Sequence, residues 1–165
     1  MTAPAHAAPP LPPELLAEAK RYWDQLAEAI PRSPPGNRLE EEAHRHNLIR
    51  VCACSPFVAH YFAKDPRRLT QLLASGDLDR GFGAQEYPER IKRAVAGVPD
   101  QEALMRALRR ARYREFVRIT WRDITTAADL DETMGDLSRF ADAALEGALG
   151  WLYRRQVETF GVPLD

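Results

Sequence analysis

The stretch from Leu130 to Trp151 constrains the fold most, because its apolar and small residues keep helical register without a slip. Leu130, Met134, Leu137, Ala141, Ala144, Ala148 and Trp151 alternate steps of four and three, the spacing of a helix-packing seam. Phe140, Leu145 and Leu152 widen the stripe, so this helix is expected to meet more than one neighbour. Its middle is built from Ala and Gly. Gly147 and Gly150 would each cost about 1 kcal/mol against Ala in a free helix, and close packing is the expected compensation. The helix is predicted over 129–160, with Gly161 and Pro163 as its stop.

A second long helix is predicted over 100–124. At about 100° per residue, Leu104, Ala107, Leu108 and Ala111 share one face. Tyr113, Phe116, Val117, Thr120 and Ile124 share another, swung well over a quarter-turn away. Such a helix is expected to pack against two different partners along its length.

Upstream, Leu15, Leu16, Ala19, Tyr22, Trp23, Leu26 and Ile30 recur at helical spacing from Glu14 to the stop at Pro31. Residues 32–38 read as a Pro/Gly loop, and helix returns over 39–54. Ser55-Pro56 is a start signal, a side-chain cap followed by a residue that needs no N–H donor. Asp65-Pro66 repeats it for a helix closed by Gly76. Residues 77–86 read as a loop, followed by a short helix over 91–96 that Gly97 ends. No run alternates apolar and polar residues between turn signals, so no strand is predicted. The predicted class is all-α: a multi-helix bundle over 14–163 with two long C-terminal helices. Five prolines within residues 1–13 make that Pro/Ala-rich lead disordered or polyproline-like. At 165 residues the chain is one domain's worth, long enough for a core of its own.

Charge and composition exclude several classes. The 23 basic and 24 acidic residues leave a net charge of -1, with no global attraction to nucleic acid or an acidic membrane. The first residues lack a signal peptide's basic and apolar regions, and no run approaches the roughly 18 apolar residues of a membrane span. A soluble cytoplasmic protein is expected. His44/His46 and Cys52/Cys54 are each two apart, on nearly opposite sides of a helix, so neither pair chelates a metal. The cysteines are read as small core residues. Asp77/Asp79 lies in a loop without phosphate-binding context, and Asp129/Asp131 opens a helix whose N–H groups it caps. There is no Walker-type loop, nucleophile–base set or dinucleotide fingerprint.

The run RRARYREFVRITWRD, residues 109–123, is the most conspicuous candidate site. Arg110, Arg114, Arg118 and Arg122 are spaced by four and line one side of the helix, with Trp121 beside them. Two readings stand. One is an anion-binding face, since the guanidinium fork suits phosphate oxygens. The other is a solvated helix face softened by pairs such as Glu115 with Arg118. Asp123 projects toward the apolar side near Ile119 and Phe116, where a carboxylate needs a partner. It is expected to clamp the turn at Thr125 and Thr126.

Three stretches carry a family resemblance: VCACSPFVAHYFAKDPRRLTQLLASGDL (51–78), LRRARYREFVRITWRDITTAADLDETMGDLSRFADAAL (108–145) and WLYRRQVETFGVP (151–163). In order and spacing they resemble the N-terminal part of bifunctional glutamine synthetase adenylyltransferase/adenylyl-removing enzymes. The resemblance implies a parent enzyme that uses ATP and Mg²⁺ to attach AMP to a tyrosine of glutamine synthetase. It also implies phosphorolytic removal of that AMP, a balance set by glutamine and the PII signalling protein, and a role in nitrogen regulation. In that family a nucleotidyltransferase sheet with a glycine-rich turn and an Asp-x-Asp metal site begins just after the match to Gly161–Pro163. No catalytic, cofactor or metal residue therefore transfers to this chain. The segment is expected to be an inactive fragment or a truncated product. Arg114, Arg118, Arg122 and Asp123 are its domain-junction or anion-binding candidates. A free-standing interaction module using the arginine face is the alternative.

Overall fold

The computed structural model of the chain describes residues 10–29 and 42–162. The expectations for residues 1–9, for the stop at Ile30–Pro31, for the 32–38 loop, for the helix start at 39–41 and for residues 163–165 lie outside these. Seven helices form among the described residues: α1 (Pro13–Ala29), α2 (Glu42–Cys54), α3 (Pro56–Lys64), α4 (Arg67–Ala74), α5 (Glu86–Val95), α6 (Gln101–Ile124) and α7 (Leu130–Phe160). No strand occurs among them, and the class is all-α.

Local sequence sets most of the helix ends. Ser55 Oγ accepts the Val58 N–H at 3.4 Å, with Pro56 at the first helical position of α3. At the next junction the start is shifted by one residue. Pro66 precedes α4 rather than opening it, and the Asp65 carboxylate accepts the Arg67 N–H at 3.2 Å. Asp100 caps α6 by accepting the Ala103 N–H at 2.7 Å, and Asp129 caps α7 by accepting the Glu132 N–H at 2.8 Å. Gly76, Gly97 and Gly161 take the left-handed conformation after α4, α5 and α7. At the end of α6 no glycine is available. Thr126 takes φ +57 there, and the Ala127 N–H reaches back to Arg122 O at 2.8 Å.

Helix α5 begins five residues earlier than its sequence pattern indicates. Pro88 lies within the first turn, where its missing N–H removes no helical bond. Tyr87 is fully buried, and the Glu86 carboxylate accepts the Gly83 N–H at 2.9 Å. Burial of one ring and one side-chain cap turn an apparent loop into the start of a helix.

The described residues fall into two compact units, one within Met1–Gly81 and Val117–Thr133, the other within Phe82–Phe116 and Met134–Asp165. In the first, α1 packs on α2 and α3. Its core gathers Leu26, Leu48, Val51, Val58, Phe62, Leu69, Leu72, Val117 and Trp121, with Phe62 set edge-on to Trp121 at 6.4 Å. The core of the second gathers Tyr87, Ile91, Val95, Leu104, Phe140 and Ala143. There four rings, Phe82, Tyr87, Phe140 and Phe116, follow one another in edge-to-face contacts of 5.3, 5.9 and 5.8 Å.

Helix α6 supplies both cores: Leu104 and Ala107 are buried in the second unit, Val117, Ile119 and Trp121 in the first. This is the change of partner that its swung apolar face predicts. Tyr113, assigned to the second face, is exposed instead, and Phe116 of that face packs in the second unit's core.

The seam predicted on α7 is buried only in part: Ala144 and Trp151 pack against the second core. Leu130 and Met134 are exposed, Ala141 is exposed, and the buried residues are Asp136, Phe140 and Ala143. At 100° per residue these are turned roughly 100° from the predicted seam. The aromatic ladder decides the matter: Phe140 joins Tyr87 and Phe116, which brings Gly147 against Ile91 on the same side.

Candidate functional site

The arginines of α6 divide by unit, and neither sequence reading describes all of them. In the first unit Arg118 is completely buried and Arg122 is 4% exposed, so the solvated-face reading fails at both. Backbone carbonyls take several of their donors. Arg118 Nε donates to Asp77 O at 2.9 Å and its Nη2 to Arg80 O at 2.6 Å. Arg122 Nη1 donates to Leu78 O at 2.8 Å and Nη2 to Ala127 O at 2.8 Å. Its Nε and Nη2 both reach Glu132 Oε1, at 3.1 and 2.8 Å. Two buried cations thus pin residues 77–80, the irregular stretch after α4, to the end of α6. A carbonyl with no hydrogen-bonding neighbour is costly to bury, and a multi-pronged guanidinium satisfies several at once.

Asp123 is exposed rather than turned to the apolar side. Its carboxylate accepts the Thr133 hydroxyl at 3.2 Å, and only its backbone carbonyl meets the expected turn, through the Thr126 N–H at 3.0 Å. The Thr125 hydroxyl donates to Trp121 O at 2.8 Å instead. Asp77, from the first Asp-x-Asp pair, is buried 3.8 Å from the Arg80 guanidinium, and Asp79 lies 3.9 Å from His44.

In the second unit Glu115 is buried and takes Arg114 at 2.8 Å and Arg90 at 3.5 Å. These residues belong to the wall of an open cavity of about 410 Å³ between α5 and α6. Arg90 and Arg93 come from α5, Arg110 and Arg114 from α6, and Tyr87, Ile91 and Phe140 form part of an apolar floor. The α5 contribution is invisible in the α6 arginine run. Its one sequence trace is the i, i+3 spacing of Arg90 and Arg93 on a helix that starts earlier than its sequence pattern indicates. A second carboxylate missed by the sequence, Asp136, is buried and takes Arg139 Nη2 at 2.7 Å.

The cysteines part company. Cys52 is buried and its thiol is pushed up to about 12 by burial, whereas Cys54 is exposed and not a core residue. No group of three His, Cys, Asp or Glu residues suited to a metal occurs among the described residues. No helix among them is long and apolar enough to cross a membrane.

The described residues form an all-helical scaffold with two buried arginine clamps and an arginine-walled cavity. A family model described as glutamate-ammonia ligase adenylyltransferase matches residues 45–165, and the chain belongs to that family. It is 46% identical over 149 residues to a bifunctional glutamine synthetase adenylyltransferase/adenylyl-removing enzyme of Pseudomonas syringae pv. tomato, covering 90% of this chain and 15% of the relative. A Pseudomonas putida protein of the same description is 38% identical over 163 residues, covering 94% of this chain and 16% of the relative. A Thioalkalivibrio sulfidiphilus one is 40% identical over 118 residues, covering 72% and 12%. The chain therefore spans about 15% of the length of such relatives. No solved structure gives a significant match.

Proposed function

We propose that this chain acts as the N-terminal helical segment of an enzyme that adenylylates glutamine synthetase and removes the AMP again, regulating nitrogen assimilation. On this reading ATP and Mg²⁺ are used by a downstream nucleotidyltransferase domain, glutamine synthetase and the PII protein are the partners, and the segment alone is inactive. Its contribution is structural: it buttresses that domain.

The observation that carries the buttress is the outer face of α7. Met134, Leu145, Leu149, Leu152 and Tyr153 are all exposed on one continuous helix, with Leu145 at 63% and Leu149 at 64%. Scattered apolar residues are normal on a surface, but Leu145, Leu149, Leu152 and Tyr153, clustered within about two turns, are what a packing face presents. The α7 face, rather than the arginine face, is where the downstream domain docks.

The test is to assay the isolated chain for AMP transfer to glutamine synthetase with ATP and Mg²⁺, and for phosphorolysis of the adenylylated form. Neither activity is expected. In a full-length enzyme carrying this segment, Leu145→Asp with Leu149→Asp is expected to impair AMP removal. Full activity of that double variant would sink the buttress reading.

A further inference from the structure

We propose that the cavity between α5 and α6 is a binding site for a small oligophosphate anion. The cavity's volume of about 410 Å³ falls in the range of about 300–1,000 Å³ typical of small-ligand sites. Its wall carries four guanidinium groups, from Arg90, Arg93, Arg110 and Arg114, against the single carboxylate of Glu115. Four positive charges less one negative leave an excess of three.

The four arginines have different duties. Arg90 and Arg114 hold the buried Glu115, at 3.5 and 2.8 Å, and that carboxylate fixes their heads at the wall. Arg90 also lies over the Phe82 ring at 4.3 Å, which further restricts it. Arg93 spends its Nε on the Glu89 carbonyl at 3.3 Å and has no carboxylate partner among the described residues. Arg110 is exposed and makes neither an ion pair nor a hydrogen bond among them. Arg93 and Arg110 therefore offer donors from opposite helices, beside two arginines held in place by Glu115.

That arrangement selects its ligand. Guanidinium forks bind phosphate oxygens in pairs, and each phosphate group carries up to about two negative charges near neutral pH. Two linked phosphates match an excess of three positive charges. A single carboxylate does not. The apolar floor of Ile91, Ala107, Ala111 and Phe140 leaves room for a carrier group beside the phosphates. The oligophosphate is thus either free or borne by a nucleoside, and the two sources differ in whether they use that floor.

The experiment titrates the intact chain with pyrophosphate, and separately with ADP and succinate, at one fixed ionic strength, following heat of binding. Saturable one-to-one binding of pyrophosphate is expected, with succinate much weaker. Arg110→Gln, which removes no internal contact, should weaken pyrophosphate about tenfold, the worth of one charge-assisted contact. Arg93→Gln should act similarly, and Arg109→Gln, outside the cavity, should change nothing. The thermal midpoint of each variant without ligand checks that folding is intact. ADP binding tighter than pyrophosphate assigns a nucleotide, and equal or weaker binding assigns the free anion. The proposal is overturned if pyrophosphate fails to saturate, if Arg110→Gln leaves its affinity unchanged, or if succinate binds as well.

Discussion

Arg122 and Glu132 meet at 2.8 Å across the turn that joins α6 to α7, and the same guanidinium also holds the carbonyls of Leu78 and Ala127. One side chain therefore ties together three stretches of chain that share no regular hydrogen bonding. Removing it strands two carbonyls and a half-buried carboxylate. Arg122→Ala is expected to lower stability by about 3 kcal/mol. Arg122→Lys should recover only part, since an ammonium lacks the fork. Chemical denaturation of both variants checks this, and a change under about 0.5 kcal/mol, the usual size for a solvated residue, would contradict the clamp.

Gly147 and Gly150 make a paired comparison on α7. A Cβ at Gly147 would run into Ile91 Cγ2, whereas at Gly150 the nearest atom is an Arg154 guanidinium nitrogen at 3.7 Å. Gly147→Ala should therefore destabilise by about 2 kcal/mol through overpacking, despite alanine's better helix propensity. Gly150→Ala should stabilise by about 1 kcal/mol. Thermal unfolding of the two variants should move in opposite directions.

Burial of Cys52 links stability to pH. The thiol stays protonated in the folded chain up to about pH 12, against a reference value of 9.0. Its contribution is fully present below pH 9 and is lost as pH rises from there through about 12, because the unfolded chain releases the proton first. Cys52→Ala should show a shallower loss of stability above pH 9 than the parent chain. Below that, exposed Cys54 should react with a thiol reagent rapidly and Cys52 only at the rate of opening.

The α7 face predicts a split between stability and association. Leu145→Asp and Leu149→Asp should each change the isolated chain's stability by less than about 0.5 kcal/mol, as exposed positions do. Both should reduce binding of an apolar fluorescent dye. A large loss of stability in the isolated chain would mean that this face is already covered.

The sequence shows the helical architecture because caps and stops are local. Ser55, Asp100 and Asp129 begin helices and Gly76, Gly97 and Gly161 end them through contacts within a few residues. The change of partner along α6 is legible for the same reason, since a swung apolar face is a property of one helix. Which face of α7 goes inward is not. Its seam residues and Phe140 are both apolar, and the choice rests on rings from α5 and α6 that no local pattern reports.

The candidate site fares likewise. The i, i+4 arginines are plain in sequence, but spacing cannot tell Arg118, buried against the 77–80 carbonyls, from Arg110, exposed at a cavity rim. The difference lies in residues about 40 positions away, which helical periodicity does not reach. Arg90 and Arg93 are not legible because the first turn of their helix holds Tyr87 and Pro88, a pair that reads as loop until the burial of Tyr87 is known.

The most direct test of the buttress is a chimera in which this chain replaces the matching segment of the Pseudomonas syringae relative. AMP removal from adenylylated glutamine synthetase is then measured. The account predicts activity within about tenfold of the unaltered relative, a barrier change of about 1.4 kcal/mol, and a further loss when Leu145 and Leu149 become Asp. A folded chimera without activity, or one indifferent to those two substitutions, would contradict it.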